Sequence, residues 1–185
     1  EIVAKDLLGR LLLHDENKLG LCGGIIVETE AYDQSDPASH SCTGQTRRNQ
    51  MMFGESARAY IYRSYGIHWC FNVTVGPAGH GAAVLIRAIE PLLGLNQMKN
   101  RRNLTLKNCP IRNLARGPGR LCQALRISDS YNGLDLLTPP LFIATPQGFK
   151  RPQSVSTPRI GITKAIRVPW RFCIVNNKFV SGKTV

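Results

Sequence analysis

The feature that most constrains this chain is a succession of short apolar runs joined by connections too brief to hold a crossover helix. Runs of strand character cover 24–32, 59–64, 67–75, 82–90, 141–144, 160–163 and 171–175. Parallel neighbours need a crossover of a dozen or more residues, whereas antiparallel neighbours need only a turn, so the spacing predicts mostly antiparallel pairing. Helical spacing is clearest at Leu92, Leu95 and Met98, and again from Arg120 through Leu121 and Leu125 after the Gly117-Pro118-Gly119 turn. The chain opens with an apolar run, Leu7 to Leu13, and residues 147–154 have the composition of a surface loop. The expectation is an α/β fold of the α+β type: one domain over 1–185, with a mostly antiparallel curved sheet surrounded by helices.

At 185 residues and 43% apolar composition, a sizeable core can form and disorder is excluded as the main state. No stretch approaches the roughly 18 consecutive apolar residues of a membrane helix, and the opening Glu1-Ile2-Val3-Ala4-Lys5 has no signal-peptide pattern. The chain is expected to be soluble and intracellular, without a membrane partner. Its cysteines, Cys22, Cys42, Cys70, Cys109, Cys122 and Cys173, include no C-x-x-C pair and no histidine at zinc-ligand spacing. They are expected to be reduced and mostly buried, with no metal site.

Charge is divided unevenly along the chain. Residues 1–90 hold eight bases and ten acids, while 91–185 hold sixteen bases and only Asp129 and Asp135. From Pro91 to Ser128 there is no acid, yet Lys99, Arg101, Arg102, Lys107, Arg112, Arg116, Arg120 and Arg126 all occur. Such a field attracts a polyanion and makes binding salt-dependent through counterion release. Nucleic acid is the leading partner.

Two segments carry candidate chemistry. In 25–32, period two sets Ile25, Val27, Thr29 and Ala31 on one face and Glu28, Glu30 and Tyr32 on the other. That second face is either a solvated acidic edge or the lining of a cleft in which one carboxylate serves as a general base. Arg87 interrupts an apolar strand, and a buried guanidinium needs carboxylates or several acceptors; Glu28 and Glu30 are candidates, Glu90 a weaker one. The aromatic stretch 60–72 reads as strand, tight turn and strand, with Tyr65-Gly66 at the bend. A ring at a hairpin tip is available to wedge between stacked bases. Tyr62 shares a face with Tyr60 and belongs either to the core or to a ligand platform, and Asn72 must satisfy its amide or read a base edge.

These residues resemble a known family. Glu28-Thr29-Glu30-Ala31-Tyr32, Ala38-Ser39-His40-Ser41, Thr46-Arg47-Arg48-Asn49 with Met52-Phe53, Tyr60-Ile61-Tyr62 with Tyr65-Gly66, Asn72, the stretch from Val84 to Pro91, and that from Gly117 to Leu125 match, in order and spacing, the alkyladenine (3-methyladenine) DNA glycosylases. The resemblance spans nearly the whole chain. It implies base excision: a damaged purine is swung out of duplex DNA and its N-glycosidic bond is hydrolysed, leaving an abasic site.

By that resemblance Glu30 is the general base that activates water. Arg87 helps hold the water, and the Ile162 main chain falls where a carbonyl completes the site. Tyr32, His40 and Tyr62 wall the base pocket, Asn72 helps exclude guanine, and Tyr65 fills the gap in the duplex. Thr46, Arg48, Met52, Ile67, His68 and Arg120 fall among the DNA contacts. No lysine falls at the matched pocket positions, which implies hydrolysis without a Schiff base. No cofactor is implied, and the expected partner is double-stranded DNA containing damaged purines, bound by a monomer. The expected location is cytoplasmic and nucleoid-associated in a bacterium, or nuclear in a eukaryote. The chain departs from the pattern between Tyr32 and His40, one residue shorter, at Arg47, where proline is common, and at Ile67-His68, which leaves the lesion range open. Two other classes compete: a non-catalytic basic nucleic-acid binder, and a thiol or metal hydrolase built on Cys42 and His40.

Overall fold

Thirteen residues, Leu21–Asp33, form the strand around which the rest is arranged. The computed structural model describes residues 1–16, 20–103 and 110–182. In chain order its elements are α1 (Ile2–Asp6), β1 (Leu11–Asp15), β2 (Leu21–Asp33), β3 (Ala59–Ser64), β4 (His68–Thr74), β5 (Ala82–Leu93), α2 (Leu95–Arg101), α3 (Pro118–Ala124), β6 (Leu141–Ala144), β7 (Ser154–Thr157) and β8 (Arg171–Ile174). All eight strands join one sheet in the order β3-β4-β5-β2-β1-β6, with β8 pairing both β2 and β7. Every pairing is antiparallel. One edge of β2 is taken by β5, and the other is shared between β1 and β8. This is the mostly antiparallel α+β sheet that the short connections predict.

One face of the sheet is apolar. Leu8, Leu12, Ile26, Phe71, Val84, Ile86, Ile89 and Phe172 pack there against Leu121, Ala124 and Leu125 of the α3 segment. Burying each large side chain contributes about 1.5–3 kcal/mol against the entropy of ordering it. Helix α3 begins inside the Gly117-Pro118-Gly119 turn with proline in its first turn, where the missing N–H costs nothing. Thr29 ties α1 to the sheet by donating its hydroxyl to the Ala4 carbonyl at 2.8 Å.

The other face holds the polar side chains, and a double irregularity sets them there. Register shifts fall on both sides of Glu28, where β2 pairs β5, so the inward/outward alternation is reset. Val27 therefore leaves the main core and packs with Ala88, Cys173, Phe179 and Val180, not on the Ala31 side as period two predicts. The predicted strand at 160–163 is absent, because Gly161 takes φ +78° and the segment bends across the polar face. Strands β1 and β7 carry no assignment from sequence, Leu92 of the predicted helix belongs to β5, and Cys109 lies outside the described residues. Of the other cysteines, all free, four are buried and Cys42 is exposed.

Candidate active site

The polar face opens into a cavity of about 940 Å³. Its walls bring together Tyr32, His40, Arg48, Met52, Tyr62, Tyr65, Asn72, Arg87 and Ile162 from the predicted site, joined by Tyr60, Cys70, Leu85 and Ile160. One row of the sheet explains much of this convergence: Tyr60 pairs Asn72, Asn72 pairs Leu85, Leu85 pairs Glu30, and Glu30 pairs Arg171. Residues far apart in sequence thus share one level across five strands.

Glu30 is fully buried behind this wall, and its three hydrogen-bond donors line the cavity. Its Oε2 accepts the Tyr32 hydroxyl at 2.9 Å and Arg87 Nη1 at 3.3 Å, while Oε1 accepts the Ile160 main-chain N–H at 2.8 Å. A carboxylate has about four acceptor positions, so one remains among the described residues. Glu28, also fully buried, receives four donors: Arg87 Nε, Arg171 Nε and the Ser181 hydroxyl on Oε1, and the Ser181 N–H on Oε2. The strand face of Glu28 and Glu30 is therefore cleft-side rather than solvated, and both acids pair Arg87. Glu90 instead accepts the Asn177 amide.

Electrostatics follow from this packing. Burial works against the Arg87 charge, but Glu30 and Glu28 outweigh it and raise its pKa. Burial, reinforced by Glu30, pushes the Tyr32 hydroxyl far up, so it stays protonated as a donor. Tyr60 is pushed up to about 12, chiefly by burial, and Tyr62 higher for the same reason.

The aromatic walls are braced from behind. The Arg159 guanidinium lies 4.7 Å from the Tyr32 ring and 5.3 Å from that of Trp170, bonded to Asp36 and to the Ala31 carbonyl. His40 stands edge-on to Tyr62 at 4.4 Å, and its Nδ1 pairs with the Tyr60 hydroxyl at 2.9 Å. Asn49, buried beneath the loop, donates to the His40 and Gly44 carbonyls and accepts the Thr46 N–H. Asn72 satisfies its amide on the Tyr60 and Cys70 carbonyls.

The rim is formed by the β3–β4 hairpin. Tyr65, 86% exposed, sits at its tip with φ +49°, followed by Gly66 at φ +69°. Ile67 is 69% exposed beside it, and the His68 ring lies against Gly119, where a Cβ would come within 2.9 Å. Arg120 and Thr46 are exposed. Arg48 sits 5.7 Å from the Tyr62 ring, whereas Met52 is buried with Tyr60 and Ala83.

Three features differ from what the sequence suggested or lie outside it. A main-chain N–H, that of Ile160, donates to Glu30, a contact outside the sequence reading, and Ile162 lies on the same cavity wall. Lys164 is a lysine on the cavity wall, although none fell at the matched positions. Arg171, Ser181, Arg159 and Asn49 were not singled out as site residues; Arg171, a cation inside a short apolar strand, carries the same signal that marked Arg87. Cys42 and His40 both line the cavity, but Cys42 Sγ donates to the Pro37 carbonyl while His40 Nδ1 pairs with Tyr60. They do not form a thiol–imidazole pair.

The family model for methylpurine-DNA glycosylase matches residues 1–178. The chain belongs to that family. It is 54% identical over 180 residues to a Nitrosospira multiformis protein assigned the name 3-methyladenine DNA glycosylase, an alignment covering 97% of this chain and 87% of that one. A Granulibacter bethesdensis protein assigned the same name is 53% identical, with 97% and 82% covered, and one from Methanoculleus marisnigri is 47% identical, with 98% and 93% covered. Membership supports a DNA glycosylase for alkylated bases, with DNA as its substrate.

Proposed function

We propose that the chain rotates damaged purines out of duplex DNA and hydrolyses the N-glycosidic bond, with Glu30 activating the water. The observation that carries this reading is a buried carboxylate with one acceptor position left, set directly behind a tyrosine-walled cavity beneath an exposed ring. A base inside a duplex is out of reach of any side chain, and extruding it costs a few kcal/mol, recovered in part by stacking in a pocket. Tyr32, Tyr62 and His40 supply that stacking surface, and Tyr65 occupies the gap left behind.

Glycosidic cleavage develops oxocarbenium-like charge on the sugar, which a nearby carboxylate stabilises while it orients or deprotonates water. Tyr32 and Arg87 hold Oε2, so water takes the position left on Oε1 beside the Ile160 N–H. Cationic alkylated purines leave without a general acid, and a neutral lesion takes its proton from solvent. The reaction is simple hydrolysis by a monomer, without strand cleavage or added cofactor. Lys164 serves as a cation for the phosphate backbone.

The test is incubation with duplex DNA carrying one hypoxanthine, ethenoadenine or 3-methyladenine, with detection of free base and of an alkali-labile abasic site. Base release by the intact chain and its loss in Glu30→Gln are expected. Turnover retained in Glu30→Gln overturns the assignment of the base, and covalent capture of DNA by borohydride overturns simple hydrolysis.

A further inference from the structure

Arg87 is held at all three of its nitrogens. Nε donates to Glu28 at 3.0 Å, Nη2 to the Ser181 hydroxyl at 3.4 Å, and only Nη1 reaches Glu30, at 3.3 Å. Ser181 in turn donates both its hydroxyl and its N–H to Glu28, and Arg171 adds Nε at 2.7 Å while its Nη2 donates to the Ser181 carbonyl at 2.6 Å. The guanidinium is therefore anchored on the side away from the cavity, and a single N–H is presented to Glu30.

We propose that Glu28 is a positioning residue, which holds Arg87 back so that one acceptor position of Glu30 stays open to water. This rests on the reading of Glu30 as the base. A guanidinium favours bidentate pairing with a carboxylate. Released from Glu28, Arg87 would turn both Nη groups onto Glu30 and fill the remaining position. Glu28 does not itself pass a proton, because it is fully buried, accepts from three donors on Oε1 and one on Oε2, and does not line the cavity.

The charged and titratable groups around the pair come from several elements. Arg87 lies on β5, Tyr32 on β2 with Arg159 behind it, Arg171 and Cys173 on β8, and Tyr62 and Cys70 on β3 and β4. Neutralising Glu28 deprives Arg87 Nε and Arg171 Nε of their shared carboxylate.

The test is single-turnover release of hypoxanthine from duplex DNA across roughly pH 5 to 9, with lesion binding and melting temperature recorded alongside. The proteins compared are the unaltered chain, Glu28→Gln, the double variant Glu28→Gln/Arg171→Gln, and Ser181→Ala. Expected for Glu28→Gln is a rate reduced by roughly 10- to 100-fold, the cost of a mispositioned reacting group. Lesion binding should hold. The double variant, balanced in charge, regains melting temperature but not rate.

Ser181→Ala loses one hydroxyl and should slow release by a few fold while remaining folded; an unchanged rate there overturns the proposal even where Glu28→Gln does not fold. An unchanged rate in Glu28→Gln, or a rate that recovers with melting temperature in the double variant, also overturns it by making Glu28 merely structural. Loss of the basic limb instead would make it a general acid. Failure of the unaltered chain to release base defeats the proposed function itself, so the two failures are distinguishable.

Discussion

At the floor, behind the cavity wall, Glu28 accepts four hydrogen bonds and Glu30 three, five of the seven from the buried Arg87, Arg171 and Ser181. At the rim, Tyr65 and Ile67 stand in solvent on a three-residue turn, and Arg120 and Lys164 project beside them. The floor is preorganised: its dipoles and charges are in place before any ligand arrives, so the proposed reaction needs no reorganisation there as charge develops on the sugar. In the proposed reaction the duplex completes the rim, whose apolar surface gains a partner on insertion. Chemistry and recognition are thereby separated by depth, which makes the two regions separable by mutation.

The largest effect belongs to the floor. Glu30→Gln should lower single-turnover base release by about 10³-fold, within the range for a general base and charge stabiliser, while lesion-duplex affinity measured by titration stays within a few fold. Next comes the hairpin tip. Tyr65→Ala removes one stacking ring, worth about 1–3 kcal/mol, so affinity for lesion duplex should fall roughly 5- to 150-fold with melting temperature unchanged; an equal loss on undamaged duplex would reduce the ring to a general contact. Smaller again, Arg120→Ala and Lys164→Ala should each flatten the slope of log affinity against log salt by about 0.9, as expected for one phosphate contact apiece, without altering the rate of bound complex.

The smallest effect is a pH dependence at His40. Cover by the surrounding rings, followed by the Arg48 charge, holds its pKa below the ordinary 6.5. Neutral His40 therefore contributes stability that is complete above 6.5 and is lost as pH falls below it. The melting temperature should drop less between about pH 7.5 and 5.5 in His40→Gln than in the unaltered chain, and an identical drop would remove His40 from that account.

Much of the floor was legible because local patterns carried it. Alternation put Glu28, Glu30 and Tyr32 on one face, and a cation in an apolar strand forced Arg87 toward acids. Those arguments stop where pairing becomes non-local. The register shifts around Glu28 that send Val27 to a second cluster depend on how β5 and β8 flank β2, and neither partner is within twenty residues of it. Ile160 reaches Glu30 across 130 positions, through a segment whose apolar run imitates a strand but is bent by Gly161. The acid-free stretch was legible only in part. Arg101, Arg102 and Arg116 donate to main-chain carbonyls of Ala124, Asn113, Leu114, Val180 and Gly182, so part of that excess serves as internal cross-links rather than as an outward field.

Strand β2 is paired on both edges at Glu30, with Leu85 on one side and Arg171 on the other. Backbone amides in such a position exchange with deuterium only when much of the molecule opens, whereas those at the hairpin turn exchange through local fraying. The carboxylate proposed as the base thus inherits the opening energy of the whole sheet, and heat or denaturant should silence the proposed insertion at the hairpin well before it disturbs the acid.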